Sequence, residues 1–202
     1  GINPGRLADS HTRMGHKTAN SRVKVLSVGR FAYYKGFEYL IHAVEKVPDA
    51  EFIIVGDGPR YPQIKKLVEQ KGLQGRVQLP GQLSADRLRQ LFWDCDLFCL
   101  PSVERTEAFG MVLLEAMSLG KPLVTTKIAG SGMSEVNVHG ATGLQVAPAD
   151  PGALANAINA LKQNPELRLQ MGGAAQRRFE TQFHIQSVAD RIEALYENLF
   201  KK

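Results

Sequence analysis

Short runs of almost uninterrupted apolar residues at 23–28, 51–55, 76–79, 96–100 and 122–125 alternate along this chain with segments whose apolar residues recur at helical spacing. A shorter run at 143–146 continues the series, and the helical patterns occupy 36–46, 61–71, 85–93 and 110–119. A strand that is apolar at consecutive positions needs cover on both faces, which crossover helices between parallel neighbours supply. The sequence therefore predicts an α/β domain built on a doubly wound parallel sheet of about six strands. Ser84 and Asp150 stand where helix N-caps are expected, the latter with Pro151 at the first helical position. Beyond Pro151 the pattern is helix alone, at 152–163, 165–181 and 185–201, giving additional C-terminal helices that cap the sheet or reach towards another domain.

At 202 residues the chain is long enough to bury one sizeable core. No apolar run approaches the ~18 residues of a membrane span. The opening stretch, GINPGRLADSHTRMGHK, has no apolar signal core, so a cytoplasmic address is the default expectation. Cys95 and Cys99 are too few for a disulfide framework and too oddly spaced for a zinc knuckle or a redox pair; buried thiols are expected. A formal charge of +5 favours anionic partners, but the basic residues are scattered rather than interleaved with aromatics, and nucleic acid is not an expected partner.

Ligands of open α/β sheets bind beyond the carboxyl ends of the strands. The first strand runs out into Gly29-Arg30 and, shortly after, Tyr33-Tyr34-Lys35-Gly36. Two cations and two glycines there suit a diphosphate, although solvated surface charges would read the same way. The second strand ends in Gly56-Asp57-Gly58-Pro59, which superficially resembles a dinucleotide-binding turn. It lacks the third glycine and does not follow the first strand, so NAD and FAD are not expected. A tight turn beside a ligand and a plain structural turn both remain open for Gly56 and Gly58.

The stretch from Pro101 to Met117 is the most informative. A polar loop containing Glu107 leads through Ala108, Phe109 and Gly110 into an amphipathic helix carrying Met111, Val112 and Glu115. The N–H groups and dipole of such a helix start favour a phosphate. Glu115 lies among apolar neighbours, where a carboxylate is costly unless something bonds to it, and a ribose diol is a suitable donor. Two carboxylates also suggest a glycosidase. If both lay on one continuous helix, eight steps of ~1.5 Å would part them by ~12 Å along the axis, against the roughly 5–9.5 Å such enzymes use. Glu107 in a loop would weaken that objection.

Asp94-Cys95-Asp96 matches a metal-holding DxD pattern but sits where a helix ends and a strand begins, so a cap or turn role is expected. The five histidines are dispersed, and no metal site is expected. A nucleophile elbow and a P-loop are both absent from the sequence.

Taken in order, GR…KG at 29–36, VGDGP at 55–59, PS…EAFG…LEA at 101–116, GKP at 120–122 and TG at 142–143 resemble the C-terminal domain of family 4 glycosyltransferases. The resemblance spans nearly all of 22–200, and the Glu-x7-Glu element from Glu107 to Glu115 is its most specific part. It implies the GT-B architecture, in which two Rossmann-like domains face each other and the C-terminal one holds most of the nucleotide sugar. It also implies retention of anomeric configuration without a metal or other cofactor. On this resemblance Arg30 and Lys35 contact the donor diphosphate, Glu107 the transferred sugar and Glu115 the ribose. Gly29, Gly56, Gly58 and the backbone of 108–112 line the cradle, while Gly81, Gln82, Pro101 and Ser102 lie near the base. The donor implied is a nucleotide diphosphate sugar, a GDP-sugar before a UDP-sugar, passing a hexose to a saccharide or lipid-linked acceptor.

Two features depart from the family pattern. Its usual glycine-glycine-x-proline-glutamate loop reads here Ala129-Gly130-Ser131-Gly132-Met133-Ser134-Glu135, with Ser134 in place of proline. With Val136-Asn137 this resembles the branch that builds bacterial surface polysaccharide such as lipopolysaccharide, often from mannose donors. The opening residues resemble the connector that follows an acceptor domain. The expected division is thus a connector at 1–21, the nucleotide-sugar domain at 22–184 and a C-terminal helix at 185–202, with an N-terminal acceptor domain as partner and the isolated domain inactive in transfer. A whole enzyme acting on a lipid acceptor would touch the inner membrane face peripherally. A non-catalytic nucleotide-sugar-binding module and a GT-B epimerase or phosphorylase are the alternatives.

Overall fold

The computed structural model describes residues 22–200. Six parallel strands form one sheet in the order β3-β2-β1-β4-β5-β6. They are β1 (Val23–Val28), β2 (Ala50–Val55), β3 (Val77–Gly81), β4 (Leu97–Leu100), β5 (Leu123–Thr126) and β6 (Gly143–Val146). The helices are α1 (Phe37–Val44), α2 (Tyr61–Gln70), α3 (Ala85–Asp94), α4 (Met111–Ser118), α5 (Met133–Val136), α6 (Pro151–Gln163), α7 (Pro165–Arg178) and α8 (Ile185–Phe200). The chain runs outward from β1 to β3, then returns to the other side of β1 and runs outward again to β6. This is the doubly wound arrangement that the alternating pattern predicts.

Both sheet faces are covered, and successive strand residues divide between two apolar clusters. Val25, Phe52, Ile54, Leu97 and Cys99 pack with Leu40, Ile41 and Val44 of α1, Ile64 and Val68 of α2 and Leu154, Ile158 and Leu161 of α6. Leu26, Ile53, Val55, Phe98 and Leu100 pack with Leu91 and Phe92 of α3, Leu113, Leu114 and Met117 of α4 and Phe179. The two-residue period of a strand is why every position of these runs must be apolar. Both cysteines are buried free thiols, and burial pushes the Cys99 thiol up from its ordinary range.

Local chemistry sets the helix starts. Ser84 Oγ accepts from Arg87 N at 3.3 Å, and Asp150 Oδ1 accepts from Ala153 N at 2.9 Å with Pro151 following. Three elements differ from the sequence expectation. Strand β3 extends through Pro80 to Gly81, because it is an edge strand on which a missing N–H costs no ladder bond. The helix expected through 181 stops at Arg178 and passes into a π-type turn at Phe179–Phe183. The short α5 falls in the loop after β5. The expected connector at 1–21 lies outside the described residues.

Strands β1 and β4 are neighbours, paired through Val25 with Leu97 and Leu26 with Phe98. The connection from β1 leaves towards β2 and that from β4 towards β5, so their exit loops diverge and open a crevice at the carboxyl end of the sheet. The loops after β1 and β4, which carry Lys35 and Glu107, border this switch point.

Candidate functional site

The loop after β1 begins with Gly29, whose N–H bonds Val55 O at 3.0 Å, and continues through exposed Arg30 to buried Phe31. A 3-10 turn at Tyr33–Lys35 then ends in left-handed Gly36 (φ 65°), from which α1 starts. That turn, which the apolar pattern does not reveal, directs Lys35 back across Gly29. A Cβ at Gly29 would stand 2.9 Å from Lys35 Cε, so the glycine makes room for the lysine stem. Lys35 is only 7% exposed.

The loop after β4 supplies its partner. Lys35 Nζ lies 2.5 Å from Glu107 Oε2, and Ser102 Oγ donates to the same oxygen at 3.0 Å. Glu107 is 8% exposed, and its main-chain carbonyl accepts from Ser131 Oγ at 2.5 Å. Glu107 therefore stands in the loop ahead of Gly110 and not on α4, so the premise of one continuous helix does not hold. Gly110 takes φ 73° and turns the loop into α4 at Met111.

These residues line one cleft of about 520 Å³. Its walls hold Gly29, Lys35, Glu107, Ala108, Phe109, Gly110, Met111, Val112 and Glu115 of the expected site, together with Val28, Leu88 and Thr106. Half-buried Glu115 sits one helical turn and more into α4 between buried Leu114 and Ala116. Loss of solvation raises its carboxyl above the ordinary value, and no described residue donates to the carboxylate. A ligand with hydroxyl donors would offset that cost.

A second cleft, also of about 520 Å³, adjoins the first through Val28, Gly29 and Leu88 and is lined by Arg30, Gly56, Gly58 and Gln82, with Asp57 and Leu83. Its floor is backbone pressed on backbone. A Cβ at Gly56 (φ 134°) would meet Gly29 O at 2.0 Å, and one at Gly58 would meet Phe31 O at 2.7 Å. These glycines allow the loops after β1 and β2 to interlock, and they border the cleft.

Gly81 and Pro101 line neither cleft. Gly81 O accepts from Gly56 N at 2.9 Å, and buried Pro101 places its carbonyl 2.2 Å from where a Cβ of Gly36 would be. The Asp94-Cys95-Asp96 segment lies at the opposite end of the sheet, entering β4, where Asp96 Oδ2 accepts from Lys24 N at 2.8 Å. Among the described residues no group of three His, Cys, Asp or Glu side chains gathers into a possible metal site. Likewise, none of their helices is long and apolar enough to cross a membrane.

Sequence reasoning passed over Leu88 and Ser131. Leu88 precedes Leu91 by three residues on the inward face of α3, a spacing that signals burial but not the position between two clefts. Ser131 belongs to the departing loop, whose altered residues were visible but whose contact with Glu107 was not.

A doubly wound sheet whose switch point gathers a paired Lys–Glu and a helix start around one cleft defines an α/β domain of the Rossmann-like class. Residues 11–178 match the family described as Glycosyl transferases group 1, and the chain belongs to that family. Among the relatives, an alpha-D-kanosaminyltransferase of Streptomyces kanamyceticus is 32% identical over 96% of this chain and 50% of its own length. The O-antigen chain mannosyltransferase C of Escherichia coli is 35% identical over 87% and 47% respectively. The chain thus spans about half the length of these curated relatives. Among solved structures, Anabaena Alr3699/HepE in complex with UDP is 29% identical, with a TM-score of 0.80 over 89% of this chain and 50% of that one. The C-terminal domain of a group 1 glycosyl transferase (LpcC) from Francisella tularensis shares the fold, with a TM-score of 0.77 over 92% of this chain and all of that one at 23% identity.

Proposed function

We propose that this domain holds a nucleotide diphosphate sugar and supports transfer of its hexosyl group, with retention of configuration, to a saccharide or lipid-linked acceptor. The observation that carries the reading is the convergence of Lys35, Glu107, Glu115 and the start of α4 on one cleft at the sheet's switch point. Cleavage of a sugar–diphosphate bond leaves negative charge on the diphosphate. Fixed cations and helix N–H groups stabilise such charge without reorganising. Lys35 and Arg30 supply the cations, Glu107 faces the sugar and Glu115 accepts from the ribose hydroxyls. The UDP complex of the Anabaena relative supports the donor class, and the mannosyl- and kanosaminyltransferases support a hexose.

The reading extends to a facing acceptor domain of the same protein, with 1–21 as connector, 22–184 as the donor domain and 185–202 as the C-terminal helix. A mannose donor carried on GDP, or failing that on UDP, and a role in surface polysaccharide synthesis at the cytoplasmic membrane face complete the proposal. The O-antigen relative supports this part.

Isothermal titration of the chain with GDP, UDP and ADP tests the donor site. At least one should bind, and its sugar derivative should bind as well. A chain that took up none of them at millimolar concentration would not be a donor domain.

A further inference from the structure

Glu107 is held more completely than a ligand-binding carboxylate in an exposed loop needs to be. Its Oε2 accepts from both Lys35 Nζ (2.5 Å) and Ser102 Oγ (3.0 Å). The hydroxyl of Ser131 takes its main-chain carbonyl at 2.5 Å, and Gly132 N takes the next carbonyl, that of Ala108, at 2.7 Å. Both serines are themselves anchored. Ser102, which is 0% exposed, has its carbonyl bound by Thr126 Oγ1 at the end of β5. Ser131 is 8% exposed, and its oxygen accepts from Met133 N at 3.3 Å at the start of α5. A side chain held at one oxygen and a main chain held at its carbonyl together fix where the remaining oxygen, Oε1, points.

We propose that Ser102 and Ser131 are positioning residues that clamp Glu107 from the β4 and β5 sides so that Oε1 alone is presented to the donor sugar. This rests on the donor-site reading above and adds the source of sugar recognition to it. Ser131 stands in the loop that departs from the family pattern, and its hydroxyl reaches the Glu107 carbonyl. The departing loop in this chain is therefore a support for the carboxylate. An unclamped Glu107 would be held by Lys35 alone, and rotation about its terminal torsion, which is soft for this side chain, would let the direction of the free oxygen vary. The nucleoside diphosphate does not depend on that orientation, whereas the sugar does.

The test compares affinities of the whole chain for UDP, UDP-glucose, GDP and GDP-mannose by titration calorimetry. The readout for each variant is the ratio of nucleotide-sugar affinity to nucleoside-diphosphate affinity for whichever pair the wild type binds. Ser131→Ala should lower that ratio by about fivefold, because the carboxylate–sugar hydrogen bond is weakened by misplacement and not lost, while leaving the nucleoside diphosphate within about twofold. Ser131→Thr, which keeps the hydroxyl, should restore it. Ser102→Ala should act in the same direction, and Ser131→Ala stands alone if the fully buried Ser102 variant does not fold. A ratio unchanged in Ser131→Ala, or an equal loss for both ligands, overturns the clamp while leaving the donor site intact. A wild-type chain that binds none of the probes overturns the donor site itself.

Discussion

Lys35 Nζ stands 2.5 Å from Glu107 Oε2, across 72 residues of sequence, with both residues buried. The contact ties the loop after β1 to the loop after β4 at the one place where the sheet's connections diverge. A buried pair contributes little when compared with apolar replacements, but removing one partner strands the other.

Lys35→Met should therefore destabilise the chain by about 2 kcal/mol, less than a fully enclosed pair because the residues border an open cleft. The double variant Lys35→Met/Glu107→Gln should recover at least half of that loss, since no charge is left unpaired. Urea unfolding of the wild type, both single variants and the double variant gives the coupling directly. Additive losses would mean that the contact has no energetic weight.

Glu115 has the opposite character. Burial raises its carboxyl above the ordinary 4.5, and no described residue bonds to it. A carboxyl that titrates higher in the fold than in the open chain binds the proton more tightly when folded. The fold thus loses stability as pH rises from the unfolded value through the raised one. Glu115→Gln removes this dependence. Relative to wild type it should gain thermal stability as pH rises from below the ordinary 4.5 through the raised value, while nucleotide affinity falls by about 1.5–3 kcal/mol with the loss of charged hydrogen bonds. Melting curves across that range and a parallel titration check both signs.

Gly56 separates fold from site. Its φ of 134° and the 2.0 Å approach of a would-be Cβ to Gly29 O leave no room for a side chain, and the clashing atom is backbone. Gly56→Ala should cost more than ~2 kcal/mol and weaken ligand binding by displacing Gly29 and with it Lys35. Gly140 also has a positive φ, 77°, but nothing within 4 Å of its missing Cβ. Gly140→Ala should cost only about 1 kcal/mol and leave binding unchanged. Equal effects in the two variants, by unfolding and titration, would reject the backbone-clash account.

The six strands were legible because both-face burial forces continuous apolar runs, and Ser84 and Asp150 because capping is a local matter of one oxygen and an N–H three residues on. Gly29, Lys35, Glu107 and Glu115 were legible as unusual residues at strand ends. Their grouping needed the resemblance, because the Lys35–Glu107 contact depends on β4 returning beside β1. The Ser102 and Ser131 contacts were not legible at all. A serine in a polar loop carries no pattern, and only the fold brings Ser131 across to the Glu107 carbonyl. The same reason kept the Tyr33–Lys35 turn and α5 out of view, since elements of three and four residues carry too few positions to show a period.

Arg30 offers the cleanest separation of binding from folding. It is exposed, lines the second cleft and makes no ion pair among the described residues, so Lys35 and Arg30 are two cations in different circumstances. Arg30→Ala should leave unfolding within about 0.5 kcal/mol of wild type, as expected for a surface site without structural contacts. It should still weaken nucleoside diphosphate binding by about tenfold, and nucleoside binding hardly at all, if the guanidinium meets the diphosphate as an accessible charge. Because that charge is in water until the ligand arrives, the difference between variant and wild type should shrink as salt is raised from about 0.05 to 0.5 M. Lys35→Met should also weaken nucleoside diphosphate binding, and because Lys35 is buried that deficit should change less over the same range. Titrations at the two salt concentrations decide the matter: an Arg30 deficit that is absent, or that is the same for nucleoside and diphosphate, would remove Arg30 from the anion-binding set and leave Lys35 and the start of α4 to hold the diphosphate.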